Sequence, residues 1–141
     1  MWELSDDEKR SSFEILWVHD LPPIDRDDIR IVPSLLRRCG CHHCKGNWPK
    51  ISRVAVEILE AGIDPLDHDA IVARAHQARL NARDRGWLYS LFYPSEAITV
   101  LRGSREYTNG MHRVHALRVA GVDRCVVYTG RGERLLDDST S

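Results

Sequence analysis

The stretch Tyr107-Thr-Asn-Gly-Met-His-Arg-Val-His-Ala-Leu-Arg-Val-Ala-Gly-Val-Asp-Arg-Cys-Val-Val-Tyr128 decides the fold. It reads as the end of a strand, a glycine turn, a helix over 111–120 stopped by Gly121, and a short apolar strand over 125–128. Val114, Leu117 and Ala120 give the helix a packing face. Gly110 lets the backbone come close to a ligand, and the helix that follows aims its N–H groups and positive dipole end at the same spot. His112 and Arg113 stand in the first turn, an imidazole and a guanidinium able to join an anion held by backbone amides. Asn109, Gly110, Met111, His112 and Arg113 are therefore the candidate ligand-binding residues. The plainer alternative makes Gly110 a tight bend, pairs Arg113 with a nearby carboxylate and leaves His112 packed at the surface.

Upstream, 97–101 is expected to form a strand, Gly103 and Ser104 a turn, and 105–108 a second strand. Nearer the start, the apolar and aromatic run 13–18 suits a buried strand, and the polar residues 1–12 are expected to fray. Two prolines and Asp20, Asp25, Asp27 and Asp28 make 19–28 a loop, followed over 29–38 by a strand and a short helix begun at Pro33 or Ser34. Residues 39–49 are irregular. Ser52 is a plausible cap for a helix with Val54, Ala55, Ile58 and Leu59 on one face and Gly62 at its close. A further helix is expected from about 67 to 85, stopped by Gly86. The expected fold class is α+β: one domain over 13–128, a small mixed sheet with packed helices, a helical insertion at 51–87, and flexible ends at 1–12 and 129–141.

Gly110-Met111-His112-Arg113, followed by Ala116, Ala120-Gly121 and a Val-rich strand, resembles the signature of the ParB/sulfiredoxin superfamily. The resemblance covers residues 97–128. It implies a ParB/sulfiredoxin-like fold whose turn binds phosphates: of ATP in sulfiredoxins, of CTP in ParB proteins and of ADP in a free-serine kinase. Carried over, Gly110, His112 and Arg113 would be the phosphate-binding positions. Two departures limit what is inherited. Sulfiredoxins hold their catalytic cysteine where this chain has Met111, and a thioether cannot act as that nucleophile, so sulfinic-acid reduction is excluded. ParB proteins carry a DNA-binding domain after this module, whereas about a dozen residues follow Tyr128 here.

Cys39-Gly-Cys41-His42-His43-Cys44 concentrates soft ligands. Cys41 and Cys44 have the spacing of a zinc knuckle, and Cys39, Cys41, His43 and Cys44 form the candidate set for a structural zinc, with His42, His19 or His68 as other completions. The alternative is a loop of reduced thiols and solvated histidines. Glu106 is the acid closest in sequence to the glycine turn and the candidate general base. Asp20 heads an acidic loop able to bind magnesium or to serve as a base. His115 follows His112 by three residues on the same helix, where a surface pair is the simpler reading.

The charge is nearly balanced, 20 Lys+Arg against 21 Asp+Glu over 141 residues, which excludes attachment to nucleic acid or membrane by bulk positive charge. Seventeen of the basic residues are arginine, and eight of them lie between Ala70 and Arg118 against three acids. That asymmetry can steer a polyanion, and Trp87, Tyr89, Phe92 and Tyr93 can stack bases, although a solvated helix face and core aromatics are the simpler readings. With no apolar run long enough to span a bilayer and an acidic start unlike a secretory signal, the expectation is a soluble cytoplasmic protein with no membrane partner. Three functions stay open. The first is a phosphate- or nucleotide-binding protein (ATP or CTP with magnesium), with phosphotransferase or nuclease chemistry as its enzymatic form. The others are a non-enzymatic nucleic-acid-binding or regulatory protein using Arg74 to Arg118, and a zinc-stapled protein-interaction module.

Overall fold

A computed structural model of the chain describes residues 5–24, 45–100 and 107–129. Ser5 starts the first helix, its hydroxyl accepting the N–H of Glu8. Asp6, Asp7 and Glu8 fill the first turn and Lys9 and Arg10 the last, so both ends match the helix dipole. The result is α1 (Asp6–Ser12), where polarity alone predicts fraying. Next come β1 (Phe13–Trp17) and a single 3-10 turn, Val18–Asp20.

The next helix, α2 (Trp48–Glu60), begins earlier than a cap at Ser52 would place it. Asn47 is the cap, accepting the Lys50 N–H, and Pro49 sits in the first turn, where its missing N–H costs nothing. Ser52 instead lies buried inside the helix and donates its hydroxyl to the carbonyl of Arg124. The single helix expected over 67–85 is two, α3 (His68–Gln77) and α4 (Ala82–Ser90). Asn81 caps α4 by accepting the Asp84 N–H at 2.8 Å, and that cap divides a stretch whose alanine spacing runs on unbroken. Gly86 stops nothing and sits exposed in the middle of α4.

β2 (Thr99–Val100), β3 (Tyr107–Asn109), α5 (Met111–Val119) and β4 (Arg124–Tyr128) complete the described elements. The four strands form one sheet in the order β1-β4-β2-β3. β1 runs antiparallel to β4, with Phe13 opposite Tyr128 and Trp17 opposite Arg124; β2 runs parallel to β4 and antiparallel to β3. The architecture is α+β with a small mixed sheet. β4 is an inner strand, and its residues after Arg124 are buried without alternation, as in a strand covered on both faces.

The core is continuous across helices and sheet. Ile51 and Ile58 of α2, Leu88 of α4, Val114 and Leu117 of α5 and Val126 and Val127 of β4 all belong to it. Each such side chain contributes roughly 1.5–3 kcal/mol by leaving water. The helical stretch expected as an insertion thus shares the sheet's core, and Ser52 ties it to β4. Among the described residues no helix is long and apolar enough to cross a membrane. The strand and helix expected over 29–38, the turn at Gly103 and Ser104, and the tail after 130 lie outside the described residues.

Candidate functional site

β3 ends at Asn109, paired with Thr99 of β2, and Gly110 turns the chain into α5. Gly110 has φ 93° and ψ 12°, a left-handed conformation that a side chain disfavours. A Cβ at this position would stand 2.8 Å from the Cα of Ile98, which is backbone and fully buried. Glycine is therefore required twice over, once for conformation and once for space. The close approach presses the start of α5 onto the chain just before β2.

The helix caps separate α5 from its neighbours. Ser5, Asn47, Asp67 and Asn81 each place a side-chain oxygen on the first turn of α1, α2, α3 and α4. α5 starts from Gly110 with no side-chain cap, and Val114 N–H closes its first turn on the Gly110 carbonyl at 3.0 Å. Chemically, such a start can take an anion where the other helices take their own side chains. Met111 and His112 are half-buried in that turn.

Arg113 behaves differently from its neighbours. It is 6% exposed, and its guanidinium donates through Nη1 to Ser90 Oγ at 3.1 Å and through Nη2 to the Glu96 carbonyl. Burial pulls its pKa down to about 10, partly opposed by the charge of Glu96, so it remains a cation at neutral pH. These bonds fasten the start of α5 to the end of α4. Arg113 is a brace for the turn, and the structure gives these two nitrogens protein acceptors. Arg113 stands three and four residues before the buried Ala116 and Leu117, on the side of α5 that packs inward.

Other candidates separate in the same way. Glu106, and Cys39, Cys41, His42, His43 and Cys44 of the proposed zinc set, lie outside the described residues, as do Asp25, Asp27 and Asp28. Among the described residues no group of three His, Cys, Asp or Glu is placed to hold a metal. Asp20 is exposed in the 3-10 turn with its carboxylate 3.4 Å from His19 Nε2. His68 stacks on Tyr93, whose hydroxyl is 3.0 Å from Nδ1, and meets the ring of Tyr89 edge-on. Cys125 is buried, and burial pushes its thiol up to about 12, which leaves it protonated and unreactive.

The arginine-rich stretch is only partly a surface. Arg85 Nη1 donates to the Leu80 carbonyl at 2.8 Å, and Arg118 Nη2 donates to the carbonyls of Leu21 and Pro22 at 2.9 Å. Tyr107 also donates its hydroxyl to Pro22, and burial raises its pKa. With Arg113, three arginines thus serve backbone carbonyls inside the fold, while Arg102 and Arg105 lie outside the described residues. The aromatic run is largely packed: Trp87 lies 5.5 Å from Trp48 and Phe92 lies 5.8 Å from Phe13, ring centre to ring centre.

Two clefts are formed by described residues. One, of about 390 Å³, lies between Lys45, Asn47 and Trp48 and the helix surface at Ala116 and Ala120. The other, of about 360 Å³, lies between Arg53, Glu57 and Glu60 of α2 and the connection at Asp123 and Arg124. Neither is lined by Gly110. No family model, curated protein or solved structure matches this chain.

Proposed function

We propose that the chain is a phosphate-binding protein of ParB/sulfiredoxin-like kind, with the turn 109–113 holding a phosphate of a nucleotide. The observation that carries this reading is the start of α5. Gly110 is left-handed and pressed onto Ile98, and the helix it opens has no side-chain cap, unlike the other four described α-helices. Backbone amides supply the binding, His112 joins the ligand from the first turn, and Arg113 acts through the turn by holding it in place. The site is chemically a backbone site, so it commits to binding and to no step of phosphotransfer or hydrolysis.

Calorimetric titration with ATP, ADP and CTP in the presence of magnesium tests this directly. The expected result is micromolar binding of one nucleotide, weakened about 3- to 10-fold in His112→Ala, the scale of one lost hydrogen bond. Amide resonances of residues 110–114 should shift in the same titration. Absence of heat with all three nucleotides, or shifts confined to other residues, overturns the reading.

A further inference from the structure

Three helices close with the same hydrogen bonds, and one of them does so with an unfavourable residue. After α2, Ala61 N–H bonds the Glu57 carbonyl, Gly62 bonds Leu59 and Ile63 bonds Ile58. After α5, Ala120 bonds Ala116, Gly121 bonds Arg118 and Val122 bonds Leu117. After α3, Ala78 bonds Arg74, Arg79 bonds His76 and Leu80 bonds Ala75. The middle residue is left-handed each time, with φ 74° at Gly62, 73° at Gly121 and 60° at Arg79. A Cβ at Gly62 or Gly121 would meet nothing within 4 Å, so conformation alone explains the glycines. Arg79 is the one described non-glycine residue at positive φ, and its side chain makes the position less stable than glycine would. Strain kept at an exposed position points to a use for the side chain.

The surroundings indicate what that use is. Arg79 is exposed at the corner between α3 and α4. Arg74, half-exposed on α3, stands five residues before it; no hydrogen bond or ion pair among the described residues holds either side chain. Arg83, in the first turn of α4, has a 40% exposed side chain and touches Asp84 through Nε at 3.2 Å. Asp84 is the only acid from 70 to 95, and it is 3% exposed, accepting the Asn47 N–H as well. The stretch 70–95 therefore carries exposed guanidinium groups and no exposed carboxylate, on a chain whose net charge is −1, and the nearest exposed acids in sequence, Asp69 and Glu96, flank it.

We propose that the α3–α4 corner docks the phosphodiester backbone of a nucleic acid, with Arg74, Arg79 and Arg83 as the phosphate contacts. Guanidinium forks suit phosphate oxygens, and a local patch of this kind binds without reading bases. The surface shares no residue with the turn 109–113 and is independent of the nucleotide reading.

Arg79→Gly separates binding from folding, because it relieves the strained backbone while removing the contact. Its melting temperature should rise by about 2–4 °C. Affinity for a mixed-sequence DNA duplex of about 20 base pairs, followed by fluorescence anisotropy from about 25 to about 150 mM salt, should fall as the contact is lost. The slope of log affinity on log salt should be about −2.7 in the wild type and about −1.8 in Arg79→Gly. Arg79→Lys should keep the wild-type slope, and nucleotide heats should be unchanged in both variants. An unaltered DNA affinity in a more stable Arg79→Gly overturns the proposal. So does equally tight binding of polyglutamate, which would assign the corner to acidic protein instead.

Discussion

Arg113 carries a full charge into the protein interior because three elements converge on it. Its own helix supplies the position, Ser90 ends α4, and the Glu96 carbonyl belongs to the connection before β2. Removing the guanidinium empties a buried site and leaves the part-buried Ser90 hydroxyl and Glu96 carbonyl without their donor, so Arg113→Ala should destabilise the fold by about 2–4 kcal/mol. Lysine, a point charge lacking the fork, should recover only part of that. Urea unfolding of the two variants measures both. A change below about 0.5 kcal/mol combined with lost nucleotide binding would return Arg113 to the role of ligand. The sequence made Gly110 legible, since a glycine between a strand and a helix announces a special backbone. It left the direction of Arg113 open, because its place in the first turn serves an external anion and an internal brace equally well. The packing around Ser90 and Glu96, distant in sequence, decides that direction.

At the scale of elements, runs of apolar residues gave β1, β4 and α5 nearly to their ends, because a buried strand or a helix stripe is written in the chain itself. Elements set by caps were harder to place. α1 owes its existence to Ser5 and a correctly ordered set of charges, and the division between α3 and α4 to Asn81. The first helix is also held from outside. Arg10 Nε lies 2.9 Å from Asp64 Oδ1, while its Nη1 lies 2.9 Å from Asp7 Oδ1. The bond from Arg10, with a further one from the Leu66 N–H, holds the Asp64 carboxyl below its ordinary 3.8. A carboxyl with a lowered native pKa stabilises the folded form fully above its unfolded value and loses that contribution as pH falls through the native one. Helical Cα shifts of residues 6–12 should accordingly move toward coil as pH falls below the ordinary carboxylate range, with the share due to Asp64 missing from the same titration of Asp64→Asn. Asp64→Asn should show part of that loss already at neutral pH; unchanged shifts in this variant would leave α1 dependent on its own caps alone.

The described residues share one interior, although the sequence divides into a strand-rich frame and a helical middle. Trp48 and Trp87 meet across α2 and α4, Ser52 of α2 bonds the carbonyl of Arg124, and Arg113 ties α5 to α4. The last two links join α2 and α4 to β4 and α5 of the frame, so neither part can bury its apolar face without the other. Unfolding should then be a single cooperative event. Tryptophan fluorescence, to which the packed pair Trp48 and Trp87 contributes, and amide exchange in β4 should report the same free energy. Urea transitions followed by fluorescence and by far-ultraviolet dichroism should coincide, with a slope on the order of 1–3 kcal/mol per molar. Ser52→Ala would lower both curves together, since the hydroxyl links α2 to β4 and belongs to neither part alone. Two separated transitions, with α2 to α4 melting while β4 stays protected, would show instead that the helical stretch folds as an appended unit and that the shared core is too weak to couple them.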